Sequence, residues 1–124
     1  MLNQSTIKTE SGATRKTILV DELNSTAVSC KVANTGIDAD ADGKKIAYAG
    51  SPLFGDLTAR DTAFTISGEG DPVGVLLHDV DVTEGTKNAQ VVIFGTVDLS
   101  KLGAEARQLV NISVNKYKMI NFVK

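Results

Sequence analysis

Val91-Val92-Ile93-Phe94 sets four large apolar side chains in succession, and in an extended chain successive side chains point to opposite sides. A strand built from Ala89 to Val97 therefore presents apolar groups on both faces, and the sheet containing it has to be covered on both. This strand is expected at the centre of the core. The rest of the chain agrees with a sheet. Its 13 Val, 12 Thr and 8 Ile make about a quarter of the residues β-branched, which suits a pleated surface better than a helix.

Other strands follow from alternation and turn chemistry. Val28, Cys30 and Val32 alternate with Ser29 and Lys31 and stop at Asn34-Thr35-Gly36, the pattern of a half-buried strand. Thr17 to Val20 is a short apolar run that serves as a first strand or as an anchor point. Lys44 to Ala49 leads into Gly50-Ser51-Pro52-Leu53-Phe54-Gly55, where Gly and Pro restrict any strand to a short piece at an edge or corner. Thr62, Phe64 and Ile66 alternate before the turn cluster Ser67 to Pro72. Val73 to Val82 then reads as one long strand whose apolar parity changes near His78-Asp79, as a bulge or a strand end would cause. Glu84 to Asn88 is a polar turn. Leu99, Leu102, Ala106 and Leu109 recur at helical spacing, which predicts one helix over Ser100 to Leu109, capped by Asp98 or Ser100 and weakened by Gly103. Ile112, Val114 and Tyr117 to Val123 read as one or two closing strands.

The expected fold is mainly β with one short helix. At 124 residues the chain has the size of one domain. Residues 1–16 are polar, with only Leu2 and Ile7 as large apolar side chains past the initiator, so they read as a flexible arm ordered only against something else. Residues 17–124 form the compact β-rich domain.

The net charge of −2 supplies no basic field for phosphate backbones or anionic lipid, so neither nucleic acid nor membrane is expected as a partner. No stretch approaches the roughly 20 apolar residues of a membrane span, and Met1 to Glu10 lacks the apolar core of a secretion signal, so synthesis in a cytosol-like compartment is expected. Cys30 is the single cysteine, which leaves no disulfide framework or zinc set; it reads as a small buried apolar residue.

Three places carry residue types that could do chemistry. Asp38, Asp40, Asp42 and Gly43 have the spacing of a calcium-binding loop, but Ala49 stands where a bidentate Glu is required, and the flanks are not helical, so a solvated turn is the better reading. Gly68-Glu69-Gly70 lacks the third glycine of a phosphate-cradling loop, since Val73 stands there, and a strand follows where a helix is needed. His78, Asp79 and Asp81 are raw material for acid-base chemistry, but alternation sends His78 to the face opposite the two carboxylates. No serine elbow and no phosphate-loop lysine is present, so no catalytic, cofactor or metal residues are assigned and the chain is expected not to be an enzyme.

Tyr48-Ala49-Gly50-Ser51-Pro52-Leu53, then Asp71-Pro72-Val73-Gly74-Val75-Leu76-Leu77, then Val91 to Val97 with Gly95, resemble in order the blocks of the lambda-type phage head-decoration proteins. The resemblance covers roughly half the chain, from about Ala49 to Val97. It implies a β-rich fold with little helix, an arm that orders on the capsid, and a cement role on the outer face of an expanded phage head. It further implies the major capsid protein as partner, homotrimers at local threefold positions, and a virion location after synthesis in the bacterial host. A host-surface-binding module of a fibre or tail is the alternative expectation, although only 5% of residues are aromatic.

Overall fold

The structure, a computed structural model, describes residues 17–68, 70–113, 117 and 119–124, without the side chains of 110–113. The arm expected at 1–16 lies outside the described residues, as does Val114. The described part is mostly β, with one α-helix. In chain order the strands are β1 (Thr26–Val32), β2 (Ile46–Ala47), β3 (Pro52–Leu53), β4 (Gly74–Leu76), β5 (Val80–Asp81), β6 (Lys87–Asp98) and β7 (Ile120–Val123). The helix α1 covers Ala104–Ser113, and short 3-10 turns occupy Glu22–Asn24 and Leu99–Lys101.

The main sheet runs β1-β6-β4-β3, antiparallel throughout, and β7 joins it as a parallel partner of the far end of β6. A second sheet consists of β2 and β5 alone. The main sheet does not end freely at β1 and β3. Phe64 forms a parallel bridge to Val32, its N–H donating to the Lys31 carbonyl at 2.7 Å and its carbonyl accepting from the Ala33 N–H at 2.9 Å. The next residue, Thr65, exchanges backbone hydrogen bonds with Phe54, at the end of β3. Two consecutive residues thus tie the first strand to the last and close the sheet on itself, which removes the edges an open sheet would leave there.

Inside this closure lies one core, built from Cys30, Val32, Leu53, Phe64, Leu76 and Val91, with Ile37, Ala47 and Val82 packed into it. A second core lies on the opposite face of the same strands: Val75, Val92 and Val97 pack with Ile18, Leu19, Leu102, Ala106 and Ile120. Val91 and Val92 are neighbours in sequence and belong to different cores, as a strand covered on both faces requires. Close approach at this crossing depends on Gly74: a Cβ there would stand 2.1 Å from the Val92 carbonyl oxygen.

β6 changes character halfway along. Thr26 faces Phe94 while Ala27 faces Val92, so Ile93 is an extra residue without an opposite number, a β-bulge. Before it, Ala89, Val91 and Ile93 face the enclosed core; beyond it, Val97 faces the second core. Gly95 sits just past the bulge at φ +145°, a conformation L side chains rarely adopt, and a Cβ there would meet the Ser25 hydroxyl.

Several expectations need correction. The strand expected over Val73 to Val82 is two short strands in different sheets, broken where the apolar parity changes. The helix starts at Ala104 instead of Ser100, because the Asp98 carboxylate accepts from the Ser100 N–H at 3.0 Å and draws Leu99–Lys101 into a 3-10 turn. Gly103 therefore precedes α1, and Ile112 lies within it instead of in a closing strand. Around Phe64 there is no regular strand, only the two bridging residues.

Phe64 has no accessible surface and fills the closure, so Phe64→Ala should cost about 3–5 kcal/mol of unfolding free energy. Phe94→Ala, at a half-exposed position outside either core, should cost under about 1 kcal/mol. Urea unfolding of the two variants, followed by circular dichroism, checks the difference.

Candidate interaction surface

The three places singled out from sequence do not converge on a site. In the Asp38 to Gly43 loop the Asp40 carboxylate accepts from the N–H groups of Asp42 at 2.9 Å and Lys44 at 3.0 Å, while the Asp40 N–H donates to the Lys44 carbonyl at 2.8 Å. Its oxygen is holding a turn together. Among the described residues no three His, Cys, Asp or Glu side chains gather in a group that could hold a metal. Gly68 and Gly70 belong to the loop before β4, and Glu69 between them lies outside the described residues.

His78, Asp79 and Asp81 separate. His78 and Asp79 line a hollow of about 260 Å³ with Tyr48 and Lys101, whereas Asp81 lines another with Lys44 and Lys87. The Asp79 carboxylate accepts from the Ala49 N–H at 2.7 Å and fixes the corner there. Asp81 accepts from both the hydroxyl and the N–H of Thr83. The side-chain bond first, and then the backbone bond, hold its carboxyl below the usual aspartate range. Tyr48 is shifted upward, by burial first and then by the negative charges of Glu105, Asp40 and Asp79. Burial likewise pushes the Cys30 thiol up, opposed in part by the Arg60 guanidinium. Both shifts favour the neutral forms, so neither group is primed as a nucleophile.

A different feature emerges from the register. Val97, Ile120 and Phe122 pack in or against the second core, so alternation turns Thr96, Asp98, Asn121 and Val123 to the opposite face, and Val20 lies beside Thr96, to whose carbonyl its N–H donates at 3.0 Å. The bulge brings Phe94 to that same face, beside Thr26 on β1 and close to Met119, whose carbonyl accepts from the Gly95 N–H. Val20, Phe94, Met119 and Val123 are 57%, 48%, 61% and 44% exposed, and they are four of the five large apolar side chains exposed among the described residues. Phe94, Met119 and Val123 thus lie along one side of the extended half of β6 and of β7, with Thr96, Asp98 and Asn121 interspersed among them.

At Met119 this face meets a hollow of about 330 Å³, lined mainly by apolar side chains, Leu57, Pro72, Val73, Ile93, Met119 and Ile120, together with Asp71 and Tyr117. It opens where β4 leaves the edge of β6 and β7 takes its place. Exposed apolar side chains gathered on one face of a small domain are the feature from which an interaction surface is argued. The sequence carried a weak signal of it. Phe94 sits in the apolar run of β6, but its exposure depends on the bulge, which no local pattern announces.

No family model matches the chain, and no curated protein matches it significantly. No helix among the described residues is long and apolar enough to cross a membrane.

The Thr83 hydrogen bonds give a pH signature. A carboxyl held low in the folded state contributes stability that is present above its unfolded value and is lost as pH falls through the folded value. In Thr83→Ala the Asp81 titration should move up toward the ordinary aspartate position, and the share of the acid-side loss of stability that comes from Asp81 should shrink, with stability at neutral pH lowered accordingly. Carboxyl-carbon NMR titration of both proteins measures this.

Proposed function

We propose that this chain is a structural component of a phage virion that binds the outer surface of the capsid and stabilises the expanded head. The face on which Val20, Phe94, Met119 and Val123 are exposed carries the reading. On this face Thr96, Asn121 and Asp98 lie among the apolar groups, the mixture of polar and apolar surface that non-obligate interfaces carry. The candidate acids are engaged in holding turns and a corner, at Asp40, Asp79 and Asp81, which is consistent with a protein whose conformation matters more than its reactivity.

The resemblance of the Tyr48 to Leu53, Asp71 to Leu77 and Val91 to Val97 blocks to head-decoration proteins supplies the class of partner. In this fold those blocks are the corner before and into β3, the β4 strand with its approach, and the centre of β6, three contiguous elements of one sheet. Cement is a surface function: many symmetry-related copies each contribute a modest interface, and their number makes the lattice hard to open.

The test is sedimentation of the purified protein with heads of the phage that encodes it, prepared without it. Saturable binding that raises the temperature at which the heads release DNA is expected. The double substitution Phe94→Glu with Met119→Glu should weaken binding by at least about a hundredfold, since charge placed in an apolar interface costs several kcal/mol, while leaving the circular dichroism spectrum unchanged. Absence of wild-type binding to those heads overturns the reading.

A further inference from the structure

We infer that the outer edge of β7 receives an extended segment of the capsid subunit as an added strand. This rests on the decoration reading and names the contact that would anchor it. In the parallel pairing the Gly95 N–H donates to the Met119 carbonyl, so Asn121 turns its backbone groups toward β6, and Ile120 and Phe122 turn theirs away. Among the described residues these outward N–H and C=O groups have no backbone partner.

The other strand edges each carry a device against such pairing. At β3, Pro52 has no N–H to offer, and Phe54 is bonded to Thr65. At β1, the Phe64 bridge occupies Lys31 and Ala33, and the Arg60 guanidinium donates to the Ser29 carbonyl at 2.8 Å, lying across the edge. The Leu19 N–H is taken by the Thr17 hydroxyl at 3.2 Å. The β2 and β5 strands are two residues long; Lys44 and Lys45 precede β2, and Asp81 is the second residue of β5. Sheet proteins protect edges with such charges, prolines and coverings because a bare edge recruits strands. β7, Ile120-Asn121-Phe122-Val123, carries no charge and no proline within the strand, only Lys124 after its end, and no covering bond among the described residues.

The occupant is not a second β7. Two four-residue edges pair over only about 13 Å, a contact of a few main-chain bonds, whereas a stable interface buries roughly 1,200 Å² and involves about twenty residues a side. A segment of a larger neighbour can pair with the edge and also cover the adjoining face at Met119 and Val123. One of its side chains can then enter the hollow between Val73 and Ile120. Main-chain bonds then supply affinity and the hollow supplies selectivity, the division of labour in strand addition.

The experiment compares Phe122→Pro with Phe122→Ala in the intact protein, using the same undecorated heads. Both remove the ring that packs against Tyr117, whose centroid lies 5.0 Å away, but only proline removes the outward N–H, and it leaves the bonds of Asn121 to β6 in place. Hydrogen exchange of the Ile120 and Phe122 amides in the wild-type protein, free and head-bound, is the second readout. Expected are binding by Phe122→Pro about tenfold weaker than by Phe122→Ala and amides that become protected on the heads. Equal binding by the two variants, with amides that exchange alike in both states, overturns strand addition and leaves the decoration reading standing. Failure of the wild-type protein to bind the heads overturns both.

Discussion

The tie made by Phe64 and Thr65 is the interaction on which the rest of the structure depends. Four strands of seven residues or fewer, apart from β6, could not by themselves bury a core and keep their edges out of solution. Joining β1 to β3 through two residues solves both problems. The backbone of Phe64 satisfies Lys31 and Ala33 while its ring fills the space between the strands. The closure also explains why Pro52 is tolerated, since its missing N–H falls on the outward side of a strand whose next residue is already bonded to Thr65.

β6 is longer than the closure needs, and this sets the second half of the architecture. Its first half is shared between the two cores. Past the bulge at Ile93, the Leu19 segment and β7 flank it, and only the second core, with Leu102 and Ala106, covers one side. On the opposite side Phe94, Met119 and Val123 are left exposed among Thr96, Asp98 and Asn121. That exposed face is the consequence of a strand that continues beyond the described elements able to cover both of its faces. The outer edge of β7, which has no strand partner among the described residues, borders the same region.

Much of the fold was legible in the residues. The alternation of Val28, Cys30 and Val32, the double-sided burial of Val91 and Val92, and the parity change near His78 each correspond to a structural feature, because side-chain direction in a strand is fixed by local geometry. The helix was displaced by about a turn. Leu102 and Ala106 do bury at helical spacing, but the competition between Asp98 as a cap for a 3-10 turn and as a cap for the helix is decided by a difference of about 1 kcal/mol. The helix also runs past Leu109 to Ser113. The candidate acids were visible as residue types, and their actual employment by Ala49, Lys44 and Thr83 was not, because those partners are set by loop paths that have no period.

The sequence by itself determined the β-rich class, the central strand and its need for cover on both faces, since composition and period act residue by residue. Only the tertiary structure decided which two strands Phe64 would join, where β6 would bulge, and so which of its apolar side chains would remain outside. Those outcomes depend on contacts between residues distant in the chain. A one-residue register shift, invisible to any local pattern, separates a buried Phe94 from an exposed one.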